Sequence, residues 1–191
     1  DVRGALDLDL RAERLDAAPM VALAQALAVD RPDPAALAEV GSDVTLDLTA
    51  GTARYAEAEG QGLTVEATLI DGAFTLDRFE IANLAGARIA ASGSFALAGG
   101  RPSGALSGTL EATDMAGLGR LVDEVAPATP LARWLAQTGP ALAPANLAFE
   151  VSGQGMRRST DLSVALSGTA GATEVTISAD MTGTREAWRN G

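Results

Sequence analysis

Carboxylates are the plentiful acid–base groups of this chain, which has 25 aspartates and glutamates against 14 basic residues. Asp7 and Asp9 are two residues apart in an alternating segment, and so are Glu57 and Glu59. Two carboxylates facing each other at about 5 to 10 Å could hydrolyse a glycosidic bond, and a cluster of them could bind calcium. However, acids that alternate with apolar residues are typical of a solvated strand face, and no Asp-x-Asp-x-Asp-Gly loop is present. We therefore expect no catalytic residue and no metal site.

Residue types that the sequence lacks narrow the chemistry further. There is no histidine and no cysteine, and all 14 basic residues are arginine. Imidazole bases, thiol nucleophiles, zinc knuckles and disulfides are excluded, and a serine nucleophile would have no usual activating base. Gly60-Gln61-Gly62 and Gly153-Gln154-Gly155 do not stand between a strand and a helix, so we interpret them as turn glycines and not as phosphate loops. The sequence predicts a protein that is not an enzyme and has no cofactor.

Composition and charge limit the classes of partner that the chain could bind. The net charge is −11 and the isoelectric point is about 4.3, which argues against nucleic acid and against anionic headgroups, since both need a basic face. Apolar residues make up 47%, too many for a disordered chain. No window approaches 18 consecutive apolar residues, so no membrane-spanning helix is predicted. We expect the chain to be a soluble segment of a longer protein.

Period-two alternation is the main structural signal. Apolar residues alternate with threonine, serine or acids, which is typical of an antiparallel sheet that is covered on one face. The alternating segments are 5–11, 44–48, 63–69, 74–81, 89–97, 105–111, 147–151, 162–166 and 175–181. Asp71-Gly72 predicts a tight hairpin. Phe74 and Leu76 are out of phase with Phe79 and Ile81, which predicts a β-bulge near Asp77-Arg78.

Helical patterns occur in two places only, and they recur after about a hundred residues. Capping residues and helical spacing predict helices within 16–40 and 114–138. The order is one strand, helices, about five strands, helices and about three strands, as in an array of repeats. We interpret residues 1–14 as the end strand of a preceding repeat, 15–113 as one repeat and 114–191 as part of a second.

The strand starts resemble those of a known family. The pattern is carried by Gly4–Arg11 before a helix and by the starts Asp43-Val44-Thr45-Leu46, Gly62-Leu63-Thr64-Val65, Asp71-Gly72-Ala73-Phe74, Ser92-Gly93-Ser94-Phe95 and Leu106-Ser107-Gly108-Thr109-Leu110. It resembles the C-terminal region of AsmA-like proteins, which are grouped with bridge-like lipid carriers. Members usually have a Gly-Gly in the strand pair where this chain has Leu84-Ala85-Gly86-Ala87, so a different turn is expected there.

The resemblance implies a mainly β fold with short helices. Its antiparallel sheet would be strongly curved into an apolar groove, like an open barrel. It also implies a periplasmic protein of a Gram-negative bacterium, anchored in the inner membrane, that accommodates or conducts phospholipid between the two membranes. The expected partners are phospholipid acyl chains, and no family catalytic residue exists to carry over.

The apolar stripes admit two interpretations. In the first, the apolar face is an open groove that contacts acyl chains; in the second, it is the closed core of a non-enzymatic scaffold, such as an outer-membrane assembly factor or an adhesin-like repeat. The residues predicted to line the groove were chosen because each is in phase on its strand. They are Leu46, Leu48, Leu63, Val65, Leu69, Phe95, Leu97, Leu106 and Leu110.

Overall fold

The protein is described by a computed structural model, which covers residues 4–16, 42–55, 58–71, 73–98, 101–115, 117, 119–120, 142–155 and 159–184. These residues form nine long strands. The strands are β1 (Gly4–Asp16), β2 (Ser42–Tyr55), β3 (Ala58–Ile70), β4 (Ala73–Leu84), β5 (Ala87–Ala98), β6 (Arg101–Ala112), β7 (Ala145–Gly155), β8 (Ser159–Ala170) and β9 (Thr173–Thr184). The predicted mainly β class is confirmed.

The nine strands form one sheet in chain order, from β1 at one edge to β9 at the other. The sheet is not closed into a barrel, which is consistent with the predicted open groove. Seven of the eight neighbouring pairs are antiparallel, as predicted. The exception is β1–β2, which is parallel. The 25 residues between these strands are long enough for the crossover that a parallel pair requires.

Strand β4 contains the predicted β-bulge. Its pairing with β3 skips Asp77, because Leu76 is opposite Ala67 and Arg78 is opposite Glu66. The extra residue restores the phase, so that Phe79 and Ile81 return to the face that carries Phe74 and Leu76. The mismatch in the sequence is thereby resolved without placing an aromatic ring on the polar face.

The hairpin turns use residues with positive φ. Asp71 has φ 50° and follows β3, where the sequence predicts a tight hairpin. Ala85 and Gly86, between β4 and β5, have φ 52° and 88°, as a two-residue turn of type I′ requires. Alanine is disfavoured at such a φ, so the backbone at Ala85 is strained in this turn.

Three predictions need correction or lie partly outside the described residues. Asp16, expected to cap a helix, is the last residue of β1, and the rest of 16–40 lies outside the described part. Helical residues occur at 115, 117 and 119–120, where the second helix was predicted to begin, and 121–138 again lies outside. Both Gly-Gln-Gly segments are inside strands, β3 and β7, so their interpretation as turns was wrong.

Candidate functional site

One face of the sheet is apolar across all nine strands. Directly opposed residues of neighbouring strands share a face, so the register identifies which residues lie together. One such row runs through Leu8, Leu46, Ala67, Leu76, Gly93, Leu106, Val151, Val164 and Ala179. Every member is aliphatic or glycine. At about 4.8 Å between strands, the row is about 38 Å long.

Two parts of this apolar face are packed and closed. Leu48 and Leu63 are only 3% and 7% exposed and form one cluster with Ala50. The second cluster is a row of opposed alanines, Ala87, Ala112, Ala145 and Ala170, together with Leu147 and Met115. The short alanine side chains leave space for the helical segment that begins at Met115.

Hydrogen bonds fix the chain just before that segment to the turn between β4 and β5. The backbone N–H of Thr113 donates to the carbonyl oxygen of Gly86 at 3.1 Å, and the Thr113 hydroxyl donates to the same oxygen at 3.2 Å. Gly86 in turn donates its N–H to Oδ1 of Asn83 at 3.0 Å. We call this part of the apolar face, with the four alanines and Met115, the closed end.

The opposite end of the central strands carries an open hollow in the apolar face. Its volume is 470 Å³, and its side-chain walls include Phe74, Leu76, Phe95, Leu106 and Val151. Phe74 and Phe95 are opposed across β4 and β5 and are 41% and 46% exposed. A volume of this size is ordinary for a small-molecule site, and an apolar lining suits an apolar ligand. We call this site the open hollow.

Glycines form the floor of the open hollow. Gly93, Gly104 and Gly153 occupy positions where the alternation would place a large apolar side chain. A Cβ at Gly104 would be 2.8 Å from the Ser94 carbonyl oxygen, so that position has no room for a side chain. A Cβ at Gly153 would have nothing closer than 3.7 Å. Gly153 therefore leaves open space that belongs to the hollow. No close approach of neighbouring backbone requires a glycine at this position.

The strand pairing places all nine residues predicted to line a groove on the apolar face. They lie in different surroundings there, some in the packed clusters and some at the open hollow. Leu48 and Leu63 are buried in the first cluster, and Leu46 and Val65 pack against it. Leu110 packs against the closed end. Of the nine, Phe95 and Leu106 line the open hollow. Leu69 is opposite Phe74, and Leu97 is paired with Pro102. Contact of these residues with lipid stays a prediction.

Three wall residues of the hollow are absent from the predicted set, namely Phe74, Leu76 and Val151. Their alternation identified them as apolar strand residues, but it did not single them out. The glycines at in-phase positions of β5, β6 and β7 are the signal that could have found the hollow, because glycine in a strand interior leaves space on that face.

The other face of the sheet is polar, and its strongest feature is an ion-pair cluster beside the bulge. Glu80 accepts hydrogen bonds from Nη2 of Arg78 at 2.6 Å and from Nη2 of Arg88 at 2.5 Å. These two guanidinium groups lower the pKa of Glu80, and Glu80 raises the pKa of Arg78. Arg78 also approaches Glu66 at 3.7 Å. The cluster stabilises β3, β4 and β5 locally.

The acidic residues considered for chemistry lie on solvated strand surface. Asp7 and Asp9 are exposed on β1, and Asp9 pairs with Nη2 of Arg11 at 3.0 Å. Glu59 is exposed on β3, whereas Glu57 lies outside the described residues. In the described ranges, no three histidine, cysteine or acidic residues are grouped as a metal site would require.

Comparison with known proteins identifies no relative: no family model, curated protein or solved structure matches this chain. Among the described residues, no helix has the length and apolar character needed to cross a bilayer.

Proposed function

We propose that this chain binds the acyl chain of a lipid in the open hollow of its apolar face, without catalysis. The observation that carries the proposal is the hollow itself. It combines walls of phenylalanine and aliphatic side chains, a glycine floor, and two phenylalanines that are each more than two-fifths exposed. Exposed rings at an apolar cavity are costly in water, and an acyl chain would cover them at about 25 cal/mol per Å².

The resemblance to AsmA-like proteins supports a wider role for the bound lipid. In this proposal the chain is a segment of a periplasmic envelope protein, anchored in the inner membrane elsewhere in its parent chain. Its apolar face accommodates or conducts phospholipid between the inner and outer membranes. An open sheet with one apolar face running through nine strands is the geometry that such a conduit needs.

A closed-core scaffold is the second candidate, and the two buried clusters favour it for their parts of the face. Leu48, Leu63 and the alanine row are already covered by protein. If the same held for Phe74 and Phe95 in solution, the face would serve stability alone. The two candidates therefore differ in what happens at the open hollow.

A binding experiment separates them. Purified protein is titrated with a fluorescent fatty acid, and lipid extracted from the same preparation is measured by mass spectrometry. We expect saturable binding and co-purified phospholipid, and we expect Phe95→Ser to weaken probe binding at least tenfold. Ile70→Ser is the matched control, because Ile70 is similarly exposed at 49% but is not part of the hollow. Equal binding by both variants, or none by the wild type, would favour the scaffold.

A further inference from the structure

We propose that Phe149 limits the length of the acyl chain that the open hollow can cover. This inference rests on the proposed function and concerns the specificity of the same site. Along β7 the hollow extends from Gly155 to Val151, and no residue of β7 before Val151 lines it. Alternate residues of a strand share a face, so the next residue of the apolar face is Phe149. The hollow therefore ends where this ring stands.

The ring of Phe149 crosses the neighbouring strand β6 at Gly108, which is directly opposed to it. Its Cζ atom lies 2.6 Å from the point that a Cβ of Gly108 would occupy, so the ring fills the space of the missing side chain. On β5 the next residue of this row is Ala91, whose methyl group is short. Phe149 is therefore the large side chain that closes the apolar face over β6 and β7 at this row.

Beyond Phe149 the apolar face continues toward the closed end. The next row contains Leu110 and Leu147, which are opposed on β6 and β7. Leu147 is buried, and Leu110 packs against the closed end. Neighbouring rows of one face are two residues, about 7 Å, apart. Without the ring of Phe149, the hollow would extend by this distance over Gly108 until it met Leu110.

The orientation of a bound fatty acid follows from the two ends of the hollow. At one end the lining includes Gln154, which is exposed to solvent. The other end is closed by Phe149 and by the packed residues behind it. A carboxylate is costly to bury without a partner, so it stays at the Gln154 end. The terminal methyl group then points to Phe149, and the ring limits how many methylenes the hollow covers.

Competition with saturated fatty acids of increasing chain length tests this role. Each unlabelled acid displaces the fluorescent fatty acid from the wild type and from Phe149→Ala. While each added methylene is buried, the Kd should fall about fourfold per methylene, and it should level off once the chain reaches Phe149. In Phe149→Ala the Kd should level off at a chain about two carbons longer, and this chain should bind about tenfold tighter than to the wild type.

Leu166→Ala is the matched control. Leu166 is opposed to Phe149 on β8, is half-buried as Phe149 is, and lies outside the lining of the hollow. Its loss should lower stability without changing the chain length at which the Kd levels off. Phe149→Leu is a milder second variant, which keeps an aliphatic side chain in the row and should move that chain length by a smaller amount. Circular dichroism shows which variants fold, and Phe149→Leu decides if Phe149→Ala does not.

The outcomes separate this inference from the proposed function. A wild type that binds no fatty acid would overturn the proposed function and this inference with it. A wild type that binds, but with the same dependence on chain length as both Phe149 variants, would overturn this inference alone. The inference alone would also be overturned if Leu166→Ala moved the limiting chain length as far as Phe149→Ala, or if the Kd of the wild type did not level off.

Discussion

Filling the open hollow from its own floor is the sharpest perturbation that the structure offers. Gly153→Leu adds four carbons at a position where the new Cβ would lie 3.7 Å from Leu162 Cδ1 and from the Asp161 carbonyl oxygen, which is ordinary contact. Gly153 has no positive φ that a side chain would strain. We therefore expect the fold to be kept or slightly stabilised, because glycine in a strand interior costs about 0.5–1 kcal/mol relative to alanine.

The effect on lipid follows from the volume that the new side chain occupies. About four methylenes of a bound acyl chain would lose their burial, at about 0.8 kcal/mol each. The loss of about 3 kcal/mol corresponds to a rise in Kd of about 200-fold. Ala148→Leu is the control, since it adds three carbons at an exposed position of the same strand, on the polar face.

The assay is titration with the fluorescent fatty acid, together with thermal unfolding of the same samples. A folded Gly153→Leu protein that binds the probe as tightly as the wild type would refute the assignment of the hollow. Weakened binding by Ala148→Leu to the same extent would also count against it, because the two side chains project from opposite faces.

Three further predictions concern the sheet around the hollow. Leu48→Asp should unfold the protein, because it leaves an unpaired charge in a closed cluster at a cost of several kcal/mol. Phe74→Asp should leave the melting temperature within a few degrees of the wild type and abolish probe binding. Chemical denaturation and probe titration of both variants measure these effects. Glu80→Gln should lower the melting temperature at pH 7. Because the pKa of Glu80 is lowered in the folded state, the difference in melting temperature from the wild type should vanish as the pH falls well below about 4.3. A difference in melting temperature that persists in acid would contradict the ion-pair account. Deletion of Asp77 should be tolerated, because it removes the extra residue of the bulge and restores plain alternation. Deletion of Thr75 should destabilise the protein strongly, because it moves Phe74 to the polar face. Thermal unfolding followed by circular dichroism compares the two deletions.

The positions of the strands along the chain and the bulge could be predicted because both depend on local alternation. Phe74 and Phe79 differ in phase within a single strand, so the mismatch is visible without knowing any neighbour. The parallel pairing of β1 with β2 could not be predicted in the same way. A connection of 25 residues is long enough for either parallel or antiparallel pairing of β1 with β2. Nothing in the alternation of β1 distinguishes these two directions.

The division of the apolar face into closed and open parts was also beyond the sequence. Leu48 and Phe95 both alternate correctly, yet one is 3% exposed and the other 46%. The difference lies in the neighbours: side chains such as Val65 and Phe79 pack against the cluster of Leu48, whereas Phe95 borders the open hollow. The role of Gly153 in the hollow likewise depends on Gly104 and Leu162, which oppose it on the adjacent strands. That pairing is not visible in the sequence of β7 alone.

The central claim is that acyl chains bind in the open hollow and not elsewhere on the protein. Its most direct test is photolabelling of the whole chain with a diazirine fatty acid, followed by peptide mass spectrometry. The account predicts labels concentrated on Phe74, Phe95, Leu106 and Val151, with little on the alanine row of the closed end. Labels spread evenly over both faces, or concentrated at Ala87 and Leu147, would contradict it.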